Sequence, residues 1–159
     1  MTVSRQEART AVGGAMQRYQ RSVQSFDDAA ARHLGVGPAD LRCLDWLTEG
    51  PMTAGELAAA TGLRPAATTA LIDRLERKQL VERVRSEQDR RQVLVQMTAA
   101  GREATWEVYR PLVDEGASLL DRLTAEEMER MSTLLDDMRE LTERLRDRLV
   151  HDDGRGRRT

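Results

Sequence analysis

One predicted β-hairpin, over residues 81–97, constrains this chain more than any other feature, because the rest of the sequence predicts helices. In its second strand Val93, Val95 and Met97 fall at every second position, which is typical of a strand with one buried face. The connecting loop, residues 86–91, has no Gly or Pro and ends in two adjacent arginines. A polar loop held out on a short hairpin beside helices is a shape suited to probing a nucleic-acid groove.

The composition predicts a helical protein without catalytic or metal chemistry. The 159 residues suffice for one domain, or for a small domain with an oligomerisation arm, and the 33% of charged residues is common in long amphipathic helices. No apolar run has the length of a membrane span and no signal-peptide core is present, so we expect a cytoplasmic protein without membrane contact. Cys43 is the only cysteine and there are two histidines, which disfavours a disulfide or a metal site. Because no Gly-rich phosphate loop or nucleophile motif occurs, we expect neither an enzyme nor a cofactor.

Charge is distributed unevenly along the chain. The net charge of −2 gives no sign of nucleic-acid binding, but residues 64–91 hold eight basic and five acidic residues, a local balance of +3. All of these basic residues except Lys78 are arginines, whose planar guanidinium groups suit phosphate and guanine. The surplus therefore favours a modest basic surface around the hairpin.

Six helices are predicted around the hairpin. The first carries a narrow, coiled-coil-like apolar stripe, so we expect it to pack on a partner helix; the stripe consists of Val12, Met16, Tyr19, Val23, Phe26 and Ala30. The predicted ranges are 4–34, 38–47, a short helix capped by Thr53, 65–78, a helix from Thr98 to about 123, and 124–149. Pro111 should kink the fifth helix. From His151 onwards Gly, Asp and Arg dominate, and we expect disorder.

The third and fourth helices form a predicted helix-turn-helix. Thr53-Ala-Gly-Glu56 is a capping box that starts the third helix, and a short turn containing Gly62 leads to the fourth. The fourth helix should bury Thr68, Leu71, Ile72 and Leu75. Its opposite face then presents Ala66, Thr69, Ala70, Asp73 and Arg77.

Together these elements resemble the multiple-antibiotic-resistance regulator (MarR) family over about residues 11–149. The most specific motifs are Asp89-Arg90-Arg91 in the hairpin loop and Thr98-Ala-Ala-Gly101 at the following helix. The resemblance implies a mainly α fold with a small β-hairpin. A winged helix-turn-helix domain over residues 35–98 would be flanked by dimerisation helices over residues 1–34 and 99–150, with a disordered tail over 151–159.

The resemblance also implies a function. Members of the family usually act as homodimers that bind pseudo-palindromic double-stranded DNA near their own promoter and repress transcription. They release the DNA when a small aromatic or lipophilic ligand, or an oxidant, arrives. One departure from the family pattern is Gln79, where Gly commonly closes the recognition helix in a left-handed conformation. Either Gln79 adopts that conformation, at a strain energy of about 1 kcal/mol, or the helix ends differently.

Ten residues are candidate DNA contacts. The fourth helix would place apolar Ala66 and Ala70 against thymine methyl groups, so sequence preference should rest largely on groove shape. Either Arg90 or Arg91, with Arg91 favoured by the Asp-x-Arg match, would enter the minor groove; otherwise both are solvated loop charges. The set consists of Thr53, Arg64, Pro65, Ala66, Thr69, Ala70, Arg74, Asp89, Arg90 and Arg91.

Three of these candidates have specific alternatives. Arg74 and Thr53 are interpreted as phosphate contacts, but Arg74 could instead pair along its own helix with Glu76. Asp89 would hold Arg91 or Arg74 by a charge-assisted bond, or shape the loop as an Asx turn. Both roles of Asp89 remain open from the sequence.

Other candidates concern effectors and partners. Phe26, Trp46, Trp106 and Tyr109 could line a ligand pocket, although packing is the simpler interpretation. Cys43 could serve a redox sensor, but a small buried packing residue is the simpler role for it. A winged-helix dimer that acts through protein–protein contacts is the remaining alternative, suggested by the near-neutral charge and the two alanines.

Overall fold

The computed structural model describes the backbone of residues 3–156 and the side chains of residues 3–149. Within that range the fold is mainly helical with one small sheet. The elements in chain order are α1 (Arg5–His33), α2 (Pro38–Trp46), β1 (Met52–Thr53), α3 (Ala54–Thr61), α4 (Pro65–Arg77), β2 (Val81–Arg85), β3 (Val93–Met97), α5 (Ala99–Leu120) and α6 (Ala125–Gly156). The six predicted helices and the hairpin are confirmed.

Capping side chains explain where several helices begin. The Thr53 hydroxyl accepts a hydrogen bond from the N–H of Glu56, and the Glu56 carboxylate accepts one from the N–H of Thr53. Thr124 and Glu127 repeat this arrangement at α6. Both predicted capping boxes are therefore present. Hydrogen bonds from the backbone N–H and the hydroxyl of Thr53 lower the pKa of Glu56 below its usual range, and Thr124 does the same for Glu127.

The sheet has one strand more than the sequence predicted. Strand β3 lies between β1 and β2, and both neighbours run antiparallel to it. In the hairpin Val81 lies opposite Met97 and Arg85 opposite Val93. The additional strand is only Met52–Thr53, too short to show alternation, and it ends in the residue that caps α3. It ties the start of the helix-turn-helix to the hairpin.

The main core lies between α2, α3, α4 and the sheet. The predicted buried face of α4 is confirmed, since Thr68, Leu71, Ile72 and Leu75 are all buried. In β3 the side chains of Val95 and Met97 are buried, but Val93 is half exposed because it lies next to the loop. A second cluster, at the end of α1, contains Ala30, Ala31 and Leu41.

The chain forms two compact units, residues 1–109 and 110–159. The division falls within α5, next to Pro111, which lacks the N–H needed for a helical hydrogen bond. At the C-terminus α6 continues to Gly156, so residues 151–156 are helical where disorder was expected, and residues 157–159 lie outside the described part. A polar composition does not by itself end a helix, and the first glycine after Thr124 is Gly154. Among the described helices none is long and apolar enough to cross a membrane.

Candidate nucleic-acid interface

The N-terminal turn of α4 presents free backbone N–H groups to solvent. Pro65 occupies the first turn, and Arg64 precedes the helix without a side-chain cap. No acidic residue lies in that first turn. The uncapped N–H groups and the positive end of the helix dipole therefore favour an anion such as a DNA phosphate.

The outward face of α4 is poor in hydrogen-bonding groups. Ala66, Thr69 and Ala70 are all exposed there. The Thr69 hydroxyl donates to the carbonyl of Pro65 at 3.1 Å, so its only proton is already used within the helix. Thr69 retains an acceptor function, and the alanines offer only apolar contacts. This face suits a groove lined with thymine methyl groups better than one that needs several polar contacts.

The loop of the hairpin, which we call the wing tip (residues 86–91), is organised by two short side chains. The Ser86 hydroxyl accepts hydrogen bonds from the N–H groups of Gln88 and Asp89 at 3.2 and 3.3 Å. The Asp89 carboxylate accepts one from the N–H of Arg91 at 3.0 Å. These bonds replace the Gly or Pro that a tight turn normally uses. The role of Ser86 was missed, although Ser-x-x-Asp is a sequence signal for such a turn.

The two arginines at the wing tip project into solvent. Arg90 and Arg91 are exposed, and within the side chains that the structure describes neither forms an ion pair. Asp89 bonds to the backbone of Arg91 and not to its guanidinium group, which is the Asx turn considered above. Both guanidinium groups therefore remain available to an external anion.

Arg83 connects strand β2 to helix α4. Its guanidinium group donates to the carboxylates of Glu76 and Asp73, the latter at 2.8 Å. Its backbone N–H donates to Glu76 at 3.2 Å. The strand and the helix are thus bridged on their exposed side, and the Asp73 carboxylate on the outward face is neutralised. Sequence reasoning missed this bridge because its members are seven and ten positions apart and lie on different elements.

Gln79 ends α4 in the left-handed conformation, with φ of 59°. The N–H of Leu80 bonds to the carbonyl of Leu75, and the N–H of Gln79 bonds to that of Glu76. These two bonds form a Schellman motif, and the side chains of Leu75 and Leu80 both lie in the core. Of the two alternatives for Gln79, the structure therefore shows the left-handed conformation.

Thr98 and Gly101 fix the exit from the wing. The Thr98 hydroxyl donates to the Gln79 carbonyl at 2.6 Å and accepts from the N–H of Gly101 at 2.9 Å. A Cβ atom at position 101 would overlap the carbonyl group of Leu80. The Thr-x-x-Gly motif thus caps α5 and lets its first turn lie directly on the end of α4.

Arg74 has a partner that the sequence did not indicate. It donates to the Asp40 carboxylate at 2.7 Å, with the Asp40 side chain 6% and the Arg74 side chain 45% exposed. Asp40 also accepts from the N–H of Gly37 at 3.1 Å. Arg74 therefore joins α4 to the start of α2 and does not pair with Glu76. Its exposed half can still face a phosphate.

Thr53 and Cys43 have structural roles in this fold. The Thr53 hydroxyl donates its proton to Glu56 at 2.8 Å, so it is not free to donate to a phosphate. Cys43 is fully buried in the main core, and burial together with the nearby Asp40 raises the pKa of its thiol to about 12. A buried thiol that stays protonated is a poor nucleophile, which does not favour a redox sensor at Cys43.

The fold brings three of the four candidate pocket aromatics together and places Trp46 against the main core. Trp46 packs against the main core, and Phe26 lies edge to face on Tyr109 with ring centroids 5.3 Å apart. Trp106 and Tyr109 line a cavity of about 260 Å³ between α2 and α5, which we call the α2–α5 cavity. Tyr109 also borders a cavity of about 570 Å³ between α1 and α2, the α1–α2 cavity. Trp106 and Tyr109 are thus the two of the four that line these cavities.

Comparison with known proteins agrees with this geometry. A family model described as "MarR family" matches residues 34–92. The HTH-type transcriptional regulator YcgE of Bacillus subtilis (strain 168) is 40% identical over 126 residues, which are 76% of this chain and 82% of that protein. The HTH-type transcriptional repressor MdtR of the same organism is 36% identical over 95 residues, which are 59% of this chain and 61% of MdtR.

The fold likewise matches a solved structure. A MarR family protein from Bacillus stearothermophilus superposes with a TM-score of 0.66 at 23% identity, over 89% of this chain and 99% of that one. The winged helix-turn-helix described above, the match over residues 34–92 and the extent of the similarity to YcgE lead to one assignment. The chain belongs to the MarR family of DNA-binding transcriptional regulators.

Proposed function

We propose that the chain acts as a homodimer that binds a pseudo-palindromic operator. The proposal is supported by large apolar side chains that stay at least a third exposed on α1, α5 and α6, more than a soluble monomer usually leaves uncovered. These residues include Val12, Tyr19, Leu112, Val113, Leu119, Met128, Met131, Leu134, Leu135, Leu141 and Leu145. Together with the partly buried Met138, those on α6 recur at steps of three and four, the spacing of a helix that packs along a second helix.

Each recognition helix would enter a major groove while each wing tip reaches the adjacent minor groove. Arg64, Pro65, Ala66, Thr69 and Ala70 lie at the exposed start of α4, where uncapped N–H groups favour a phosphate. Arg90 and Arg91 would contact the minor groove, where narrow A·T-rich tracts attract arginine. Arg74 would contact a phosphate with its exposed half, and Asp89 would shape the loop that presents Arg91.

We further propose that the bound dimer represses transcription and that a small ligand releases it. The name of the relative MdtR, a repressor, supports the sign of regulation. The two cavities beside α2 support a ligand site. Two recognition helices must be about 34–36 Å apart to enter successive major grooves, so a ligand that changes this spacing weakens binding.

The observation that carries the proposal is the pair of exposed arginines at the wing tip, which form no ion pair with any side chain that the structure describes. The test measures binding to DNA from upstream of the gene, by fluorescence anisotropy at several salt concentrations. Arg91→Ala should weaken binding by about 1–3 kcal/mol and reduce the salt slope by about one. Arg122→Ala, an exposed arginine outside the winged domain, is the charge-matched control.

Two results would contradict the proposal. If Arg91→Ala binds as tightly as Arg122→Ala while remaining dimeric, the wing tip does not contact DNA. If the wild-type protein sediments as a monomer at micromolar concentration, the exposed stripes do not form a dimer interface.

A further inference from the structure

The α1–α2 and α2–α5 cavities share one wall. Leu41, Asp45 and Tyr109 border both of them. The larger cavity, at about 570 Å³, falls in the range of about 300–1,000 Å³ that small-molecule sites occupy, and the smaller one extends it past the shared wall. A ligand at this wall would contact α1, α2 and α5 at once.

Two carboxylates stand at this wall: Asp45 borders both cavities, and Asp27 borders the α1–α2 cavity and contacts Tyr109. Asp27 accepts a hydrogen bond from the Tyr109 hydroxyl at 2.7 Å, and Asp45 stands close enough to both to influence them. Within the described side chains no arginine, lysine or histidine forms an ion pair with Asp27 or Asp45. Among the residues whose side chains are described, the negative charge at this wall is therefore not balanced by an ion pair.

The titration behaviour of the wall agrees with that charge. Partial burial, with the nearby Asp27 and Glu49 carboxylates, raises the pKa of Asp45. Burial, the bond to Asp27 and the two aspartates raise the pKa of Tyr109. An approaching cation would relieve this repulsion, whereas an anion would increase it.

Two arginines border the cavities without neutralising the wall. Arg42 lines the α1–α2 cavity and is exposed, and Arg102 lines the α2–α5 cavity. Arg102 donates to the carbonyl of Met97 at 2.6 Å, which directs part of its guanidinium group to the backbone. Asp28 adds a further negative charge to the larger cavity.

The smaller cavity adds an aromatic side chain and an unused polar atom. Trp106 lines it together with Tyr109, and aromatic rings bind organic cations through cation–π contacts. Thr105 also lines this cavity, and its hydroxyl oxygen is buried without a hydrogen-bond partner among the described residues. Buried polar atoms are normally satisfied, so this oxygen is an acceptor for a ligand N–H group.

We propose that the shared wall binds an aromatic ammonium ion, with the ammonium group at Asp27 and Asp45 and the aromatic body beside Trp106. The inference rests on the proposed release by a small ligand and specifies the chemical class of that ligand. Asp27 and Asp45 would pair with the positive charge of the ligand, and the Thr105 hydroxyl would accept a hydrogen bond from its N–H group. Phenolic or carboxylic acids would be disfavoured at this wall.

The test compares three probes that share one aromatic body and differ in charge. 1-Naphthylmethylammonium is cationic, 1-naphthylmethanol neutral and 1-naphthylacetate anionic. Binding to the DNA-free protein is measured by calorimetry and by quenching of tryptophan fluorescence. The cation should bind at least about tenfold more tightly than the anion, with the alcohol between them, as expected from one partly screened opposite charge.

Variants then assign the effect to the named residues. Asp45→Asn and Asp27→Asn keep the size of the side chain and should each weaken binding of the cation about tenfold, while changing affinity for the alcohol less than twofold. Glu103→Gln removes an exposed charge from α5 outside both cavities and should change nothing. Thr105→Val should weaken binding of the cation and leave binding of the anion unchanged.

The outcomes separate this inference from the proposed function. Equal or tighter binding of the anion overturns the inference, as does binding of the cation that is insensitive to Asp27→Asn and Asp45→Asn. The wild-type comparison of three probes requires no variant to fold. If the cation binds as described but operator affinity stays the same, the inference stands and release by ligand is wrong.

Discussion

Helices α4 and α6 carry similar apolar patterns, but the fold uses them differently. In α4 the apolar face is enclosed by α2, α3 and the sheet, and Leu75 is 0% exposed. In α6 the apolar stripe faces solvent, and Leu141 is 46% exposed. Periodicity therefore identifies an apolar face, but it does not indicate whether the same chain covers that face. The winged domain closes its own core, whereas the described chain leaves the apolar stripe of α6 uncovered.

The largest expected effect separates the two faces directly. Leu75→Ala should lower the free energy of unfolding by about 2–5 kcal/mol, because it leaves a cavity in a closed core. Leu141→Ala should instead weaken the proposed dimer about tenfold or more. Chemical denaturation measures the first and sedimentation equilibrium the second. The comparison fails if Leu141→Ala leaves the dimer dissociation constant unchanged.

Two glycines of α5 differ in the space around them, so they contrast a covered and an uncovered position within one helix. Gly101→Ala should destabilise the protein by about 3 kcal/mol, because its Cβ meets the backbone of Leu80 and not a flexible side chain. Gly116 has open space around it, so Gly116→Ala should stabilise by about 0.5–1 kcal/mol. Thermal unfolding of both variants checks the pair. A mild effect at position 101 would show that α5 can move away from the end of α4.

At the end of α4, glycine substitutions at two neighbouring positions should change the free energy of unfolding by smaller amounts and in opposite directions. Because Gln79 has a φ of 59°, Gln79→Gly should raise the free energy of unfolding by about 1 kcal/mol. The neighbouring Lys78 has right-handed helical angles, so Lys78→Gly should lower it by about 0.5–1 kcal/mol. Urea denaturation of the two variants measures both. Destabilisation by Gln79→Gly would mean that the Gln79 side chain makes a contribution larger than the backbone strain.

The smallest effect concerns the wall of the two cavities. The pKa of Asp45 is raised, so the folded state disfavours its ionised form and loses stability as the pH rises from the ordinary value towards the raised one. Asp45→Asn should therefore be slightly stabilising at neutral pH. The gain should vanish below the ordinary pKa of aspartate, where Asp45 is protonated in both states. Thermal melts across that pH range test it, and a gain that persists in acid would exclude the electrostatic cause.

Much of the fold could be predicted because its signals are local. The capping boxes at Thr53 and Thr124 and the buried face of α4 depend on residues within one or two turns of each other. The loop motif and Thr98-x-x-Gly101 have fixed spacing as well. The wing tip was therefore located from the sequence alone, down to its two exposed arginines.

The remaining features depend on contacts between distant segments. Strand β1 is defined only by its pairing with β3, and α6 continues past the expected end because no residue there stops it. The ion pair of Arg74 with Asp40 spans 34 positions, and the hydrogen bond of Tyr109 to Asp27 spans 82. No local pattern predicts such pairs, because either member could be satisfied by water.

The sequence by itself determined the helices, the hairpin and the charged loop, since hydrophobic period, caps and turn residues act over a few neighbouring positions. Only the tertiary structure decided which charges are used internally and which stay free. Arg74 and Arg83 are bound to carboxylates on other elements, whereas Arg90 and Arg91 are not paired within the described chain. The physical reason is that an ion pair needs two groups brought within about 4 Å, and that distance is set by packing and not by position in the chain.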